Sequence, residues 1–242
     1  FLPGKSTTEF PTVRTSVCTS DSALEFLESL GLTEASLVDD VVRNILPKYR
    51  EQNANIEDAR YGDDIRSILT AFSTDSKAQQ DKLIRALRDT PFVMAVDSGD
   101  GKKSVSKPTE VYQATERLKR LFTGVKGVLL IDDKYSCLRG EAVRELLEEC
   151  GAARYLEPVR VESDLSWEQL RDIRRNAGLE SYRSRDTTIS DWTLRGLDAL
   201  LALLPQLDFG ERRHRAALFW DALADLEREH GPNAFLGEYM WG

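Results

Sequence analysis

Apolar residues recur at helical spacing along most of this chain, and the pattern gives way to short continuous apolar runs only near its middle. Residues 1–19, rich in Pro, Thr and Ser, have no clear period; they read as an extended segment with one edge strand near Thr12–Cys18. Ser22-Ala-Leu-Glu25 has the form of a capping box. It opens a helix expected to bury Leu24, Phe26 or Leu27, and Leu30, with Gly31 as its C-terminal cap. A second helix is expected from about Ala35 to Leu46, with Leu37, Val38, Val41, Val42 and Ile45 on one face and Pro47 as its stop. Residues 50–60 are polar and read as a loop. Ile65, Ile68, Leu69 and Phe72 predict a helix over 64–72, and Ser76-Lys-Ala-Gln79 opens another with Leu83, Ile84 and Leu87 inward.

Phe92-Val-Met-Ala-Val96 is apolar and partly β-branched, which predicts a strand; Asp97–Lys103 is a turn by composition, and Ser104–Ser106 can pair back as a hairpin. Val111 and Tyr112 follow Pro108 in an extended segment, and Leu118, Leu121 and Phe122 mark a short helix. Gly127-Val-Leu-Leu-Ile131 predicts a second strong strand. A helix over 139–150 carries Val143, Leu146 and Leu147, a short strand is expected over 155–161, and Ser166-Trp-Glu-Gln169 is a capping box opening a helix to about Ala177. Residues 178–187 are polar and arginine-rich. Leu194, Leu197, Leu200, Leu201 and Leu204 lie on one helical stripe and predict a helix over 189–204. Asp208 is placed to cap a last long helix that buries Ala216, Phe219 or Trp220, Leu223 and Leu226. The expected class is therefore α/β (α+β), helix-dominated, with a small β-sheet around residues 92–131 and a helical C-terminal third. The expected organisation is a unit over 1–150 and a helical unit over 151–242, with residues 151–160 as the seam, or one continuous domain.

Composition narrows the function classes. Of 242 residues 41% are hydrophobic and 31% charged, which places the chain among globular proteins and not disordered ones. A net charge of −8 disfavours protein-wide attraction to nucleic acid or an anionic membrane, and no apolar run approaches the roughly 20 residues that span a bilayer. Cys18, Cys137 and Cys150 are few, odd in number and far apart. They fit a reducing, cytoplasmic compartment, and no pair has metal-ligand spacing. The chain starts Phe-Leu-Pro-Gly without a methionine and stops just after Tyr239-Met240-Trp241, which reads as a piece of a longer polypeptide.

Candidate chemistry is sparse. Ser98-Gly-Asp-Gly-Lys-Lys-Ser104 is spelled somewhat like a phosphate-binding loop. Val96 and Lys103 occupy the places where that motif needs glycine and Ser or Thr, so a solvated hairpin turn is the expectation. Asp132 and Asp133 end one strand and Asp97 ends the other; on parallel neighbouring strands the three acids would converge as a magnesium site. His214 and His230 have no nucleophile in evident relation to them. Arg171, Arg174, Arg175, Arg183, Arg185, Arg195, Arg212, Arg213 and Arg215 crowd the last third, interleaved with acids, and read mainly as a salt-bridged surface. Trp167, Trp192 and Trp220 are expected in the core. No catalytic, cofactor-binding or metal-ligating residue is expected.

Leu87-Arg-Asp-Thr-Pro-Phe-Val93, Lys107-Pro-Thr-Glu-Val-Tyr112 and Leu118-Lys-Arg-Leu-Phe122 resemble the repeat region of sacsin and of bacterial sacsin-like proteins, which carry an Hsp90-like (GHKL) ATPase domain elsewhere. Phe26–Leu32, Ile45–Tyr49 and Phe219-Trp-Asp-Ala-Leu223 are similar to the same group, so the resemblance covers the chain from about residue 20 onward. The Asp-x-Gly-x-Gly spelling of Asp97–Gly101 has no accompanying catalytic helix or lid, and no family functional residue carries over. The resemblance implies a non-catalytic internal scaffold of a chaperone-type protein. It would hold a protein client or other domains of the same polypeptide, or relay the ATPase state. Lys107, Tyr112, Arg174, Arg175, Arg183 and Arg185 are the candidate contact residues. The alternative is a nucleic-acid-associated module of a bacterial defence protein that uses the arginine-rich third.

Overall fold

The computed structural model describes residues 1–2, 10–32, 34–50, 58–162, 166–176, 178 and 190–231. Helix α1 spans Asp21–Ser29, and its cap is Ser20, whose hydroxyl accepts from Ala23 N at 3.3 Å; the capping box expected at Ser22 does not form, and the cap lies two residues earlier. None of its residues is buried; Leu24 and Leu27 are half-buried, whereas Leu30, expected inward, is 62% exposed, as is Phe26.

Helix α2 (Leu37–Asp40) starts at a Ser36–Asp39 capping box and runs through one π turn (Val41–Ile45) into α3 (Leu46–Arg50). Pro47 does not stop it. Leu46 N already bonds to Val41 O, five residues back, and the widened turn gives the proline ring room that an α-turn denies it. Helix α4 (Asp58–Phe72) begins earlier than expected and adds Tyr61 to the core; α5 spans Lys77–Arg88.

Strands β1 (Val93–Asp97) and β2 (Lys103–Ser106) form the expected hairpin. A 3-10 turn at Pro108–Glu110 leads into β3 (Val111–Tyr112), then α6 (Glu116–Phe122) and β4 (Leu129–Ile131). The sheet order is β2-β1-β4-β3, antiparallel except for the β3/β4 pair that α6 connects. Helix α7 (Glu141–Glu149) follows. Strand β5 (Pro158–Glu162) precedes α8 (Trp167–Asn176), which opens at the expected Ser166–Gln169 box. Strand β6 (Ser190–Leu194) pairs antiparallel with β5, and α9 (Leu197–Leu203) and α10 (Phe209–His230) close the described chain.

The single helix expected over 189–204 is thus a strand followed by a helix, and the C-terminal third is not purely helical. Gly196 makes the break. Its φ is +83°, and a Cβ there would lie 2.5 Å from Val128 Cγ2. Leu194 and Leu200 still share a core, reached from two elements instead of one stripe.

Period-two alternation gives the sheet two buried faces. Val93, Ala95, Val111 and Ile131 face a core built with α2 to α5 and α7, whereas Tyr112 and Leu130 face a second core built with α6, α9 and α10. Tyr61 ties the first core to the sheet. Its O–H donates to Phe92 O and accepts from Met94 N, both at 3.1 Å, so a helix side chain supplies what a neighbouring strand would give.

Candidate interaction surface

The acids that end the two strong strands do not converge. Strand β1 runs antiparallel to β4, with Asp97 opposite Leu129, so Asp132 lies three residues along, about 10 Å away at strand rise. Asp97 serves its own turn. Its carboxylate accepts from Gly99 N at 2.8 Å, Asp100 N at 3.3 Å and Gly127 N at 2.7 Å. Burial opposes charge on Asp97, but those three amides outweigh it and hold the carboxyl below the usual range. Gly99 is a packing glycine here: a Cβ would sit 2.7 Å from the Lys126 backbone. Asp132 pairs with Lys103 at 2.9 Å and Asp133 with Lys119 at 2.6 Å, and the Asp133 hydrogen bond raises the Lys119 ammonium. Among the described residues no group of His, Cys, Asp and Glu is arranged to hold a metal ion.

The carboxyl ends of the parallel pair β3/β4 border a cavity of about 370 Å³, lined by Gln113, Lys119, Asp133, Arg139, Arg144 and Arg154 among others. Such crevices hold ligands in many open α/β sheets. Here Lys119 is already held by Glu116 and Asp133, and Arg144 by Glu141, while Arg139 donates to the backbone Asp133 O and Arg154 lies over the Tyr155 ring.

The candidate contact residues scatter. Tyr112 is fully buried. Its O–H donates to Arg195 O at 3.0 Å and accepts from Glu157 N at 3.2 Å, while the Arg195 guanidinium lies over its ring at 5.2 Å. It is a core anchor and not a surface for a partner. Lys107 is half-buried, and its amide donates to Glu110 Oε2 at 3.2 Å inside the 3-10 turn. Arg175 is exposed on α8 and lies 3.7 Å from Asp172; the Arg174 backbone is helical. Arg183 and Arg185 fall outside the described residues.

The described arginines of the last third are largely spoken for. Arg171 and Arg175 lie by Asp172, Arg195 pairs with Glu157, Arg215 with Glu211 and Arg228 with Asp225. Arg215 is buried, and its Nη1 donates to Leu121 O at 2.7 Å and Thr123 O at 2.8 Å at the end of α6. Acids interleaved in space are what a phosphate-binding face lacks. His214 is exposed, and His230 meets the Tyr155 ring edge-on at 5.8 Å.

What the fold assembles instead is an apolar outer face on α10. The helix buries Arg215, Ala222 and Leu226 toward the second core. Its opposite side carries Phe209, Ala216, Trp220 and Ala224, all exposed and brought to one stripe by helical spacing. Phe209 is 74% and Trp220 69% exposed; of the set expected inward, Phe219, Leu223 and Leu226 pack on the second core, whereas Ala216 and Trp220 are exposed. The sequence signal was present: Ala216, Trp220 and Ala224 recur every four residues beside the stripe that faces inward, so the helix is apolar on two sides. Among the described residues no helix is long and apolar enough to cross a membrane. The chain matches no family model, no curated protein and no solved structure in the comparisons with known proteins.

Proposed function

We propose that this chain is a non-catalytic interaction segment, a scaffold region whose contact face is the outer side of α10. The observation that carries this reading is Trp220. A tryptophan 69% exposed at the middle of a 22-residue helix, in line with exposed Phe209, costs solvation that a partner recovers on binding. Exposed aromatic side chains of this kind supply much of the energy of protein interfaces. The exposed Phe26 and Leu30 on α1 give a second, smaller apolar site. The acids that looked most like a metal site are engaged by lysines and backbone amides, which supports a structural role for them.

The resemblance to sacsin-like proteins agrees with the same reading; on it, the segment would belong to a larger cytoplasmic protein with an Hsp90-like ATPase domain and would hold a protein client or neighbouring domains. The three free cysteines agree with a reducing compartment. The nucleic-acid alternative is the weaker one, because Arg171, Arg175, Arg195, Arg215 and Arg228 each lie by an acid. Calorimetric titration with magnesium–ATP, duplex DNA and single-stranded DNA tests the reading. Silence in all three is expected; ATP binding would overturn the assignment of Asp97–Gly101 as a turn, and salt-sensitive DNA binding would overturn the scaffold reading.

A further inference from the structure

The stripe on α10 is more than apolar: it is symmetric. Trp220 is its centre. Ala216 lies four residues before it and Ala224 four after, while Arg213 lies seven before and Glu227 seven after. All five are exposed, and neither Arg213 nor Glu227 is drawn into the ion pairs of its neighbours: Arg215 takes Glu211, and Arg228 takes Asp225. Seven residues of helix are about 10 Å, so the opposite charges stand at equal distances on either side of the indole.

We infer that α10 pairs antiparallel with α10 of a second copy of this chain, about a two-fold axis through Trp220. Such an axis brings Arg213 of each chain opposite Glu227 of the other, Ala216 opposite Ala224, and the two indoles together at the centre. A two-fold interface requires one patch complementary to itself, and a stripe with one sign at each end meets that requirement only in the antiparallel sense. A uniformly acidic or basic partner would be repelled by one end. The alanines on either side let the helix axes approach closely, and two indoles stack or meet edge to face. This inference rests on reading the outer face of α10 as the interaction surface, and it names the occupant. One helix per chain is a small interface, at the low end of the range, so a reversible dimer of micromolar affinity follows.

Sedimentation velocity of the 242-residue chain, from about 1 to about 300 μM, tests it. The wild type is expected to shift reversibly from monomer to dimer. Trp220→Ala should weaken the dimer at least roughly tenfold. Arg213→Glu and Glu227→Arg should each weaken it, and the double variant should recover it, because the reversed charges again face each other. All three positions are exposed, and an unchanged circular dichroism spectrum confirms that the variants fold. A chain that stays monomeric throughout, or a dimer indifferent to the single charge reversals, overturns the proposal. In the monomeric case a photocrosslinker at position 220 separates the two readings. An adduct with a different protein leaves the contact face standing with another occupant, and no adduct at all removes both.

Discussion

Arg215 on α10 reaches across to α6 and donates to Leu121 O at 2.7 Å, with Thr123 O at 2.8 Å from the same nitrogen. A cation thus caps the C-terminal end of a helix whose last carbonyls have no intrahelical partners. Glu211, one turn back on α10, holds the guanidinium from the other side at 2.8 Å. Replacing Arg215 by Met leaves those carbonyls unpaired in a buried place. We predict a loss of about 2–4 kcal/mol, read as a lower urea midpoint with an unchanged slope. Arg215→Lys recovers only part of it, since a single ammonium does not reproduce the fork.

Tyr112→Phe keeps the ring in the second core, stacked on Phe122 with centroids 5.4 Å apart, and removes only the hydroxyl. That hydroxyl bridges Arg195 O and Glu157 N and so ties β3 to the end of the β5–β6 pair where Pro158 faces Leu194. The expected cost is about 1–3 kcal/mol in equilibrium unfolding. Partner binding by folded protein should be unchanged, which a Tyr112 at a contact surface would not allow.

The Asp97 turn makes a pH prediction. The folded carboxyl titrates below its ordinary value, because three amide hydrogen bonds outweigh the opposing effect of burial. The unfolded chain takes up the proton near pH 3.9. Stability from this group is therefore complete above about pH 4 and is lost as pH falls through the lowered folded value. The gap in urea midpoint between wild type and Asp97→Asn should be constant from neutral pH to about 5 and narrow below about 4. A gap independent of pH would contradict the account.

Cys150 is fully buried, and burial pushes its thiol up to about 12. In native protein it should resist alkylation at pH 8 while denaturant exposes it. Mass spectrometry of iodoacetamide-treated protein with and without urea reads this directly. Rapid native-state modification of Cys150 would contradict the packing of α7 against the sheet.

Most of the fold was legible in the sequence where one face had to be buried. Ile65 and Ile68, Leu83 and Leu87, and Val143, Leu146 and Leu147 all point inward as their spacing predicts. The hairpin from Val93 to Ser106 was legible because β-branched residues flank a turn rich in Gly and Asp. The helix expected through Leu194 failed because a leucine stripe fits a strand and the next helix equally well when a glycine needing positive φ lies between them. Pro47 failed as a stop because the upstream π turn relieves its ring. The contact face was hidden by the same logic that revealed the core. A periodic Trp220 or Phe26 predicts burial, and nothing local says which of two apolar faces meets the rest of the chain. Arg215 was hidden because a buried guanidinium and a solvated one are spelled alike; only its partners 92 and 94 residues away distinguish them.

The most direct test of the contact face is site-specific photocrosslinking with benzoylphenylalanine placed at Trp220 and, as a control, at Asp100, exposed in the β1–β2 turn. The account predicts a discrete protein adduct from position 220 that maps to one surface of the partner, and none from position 100. No adduct at 220, or the same adducts from both positions, would contradict it.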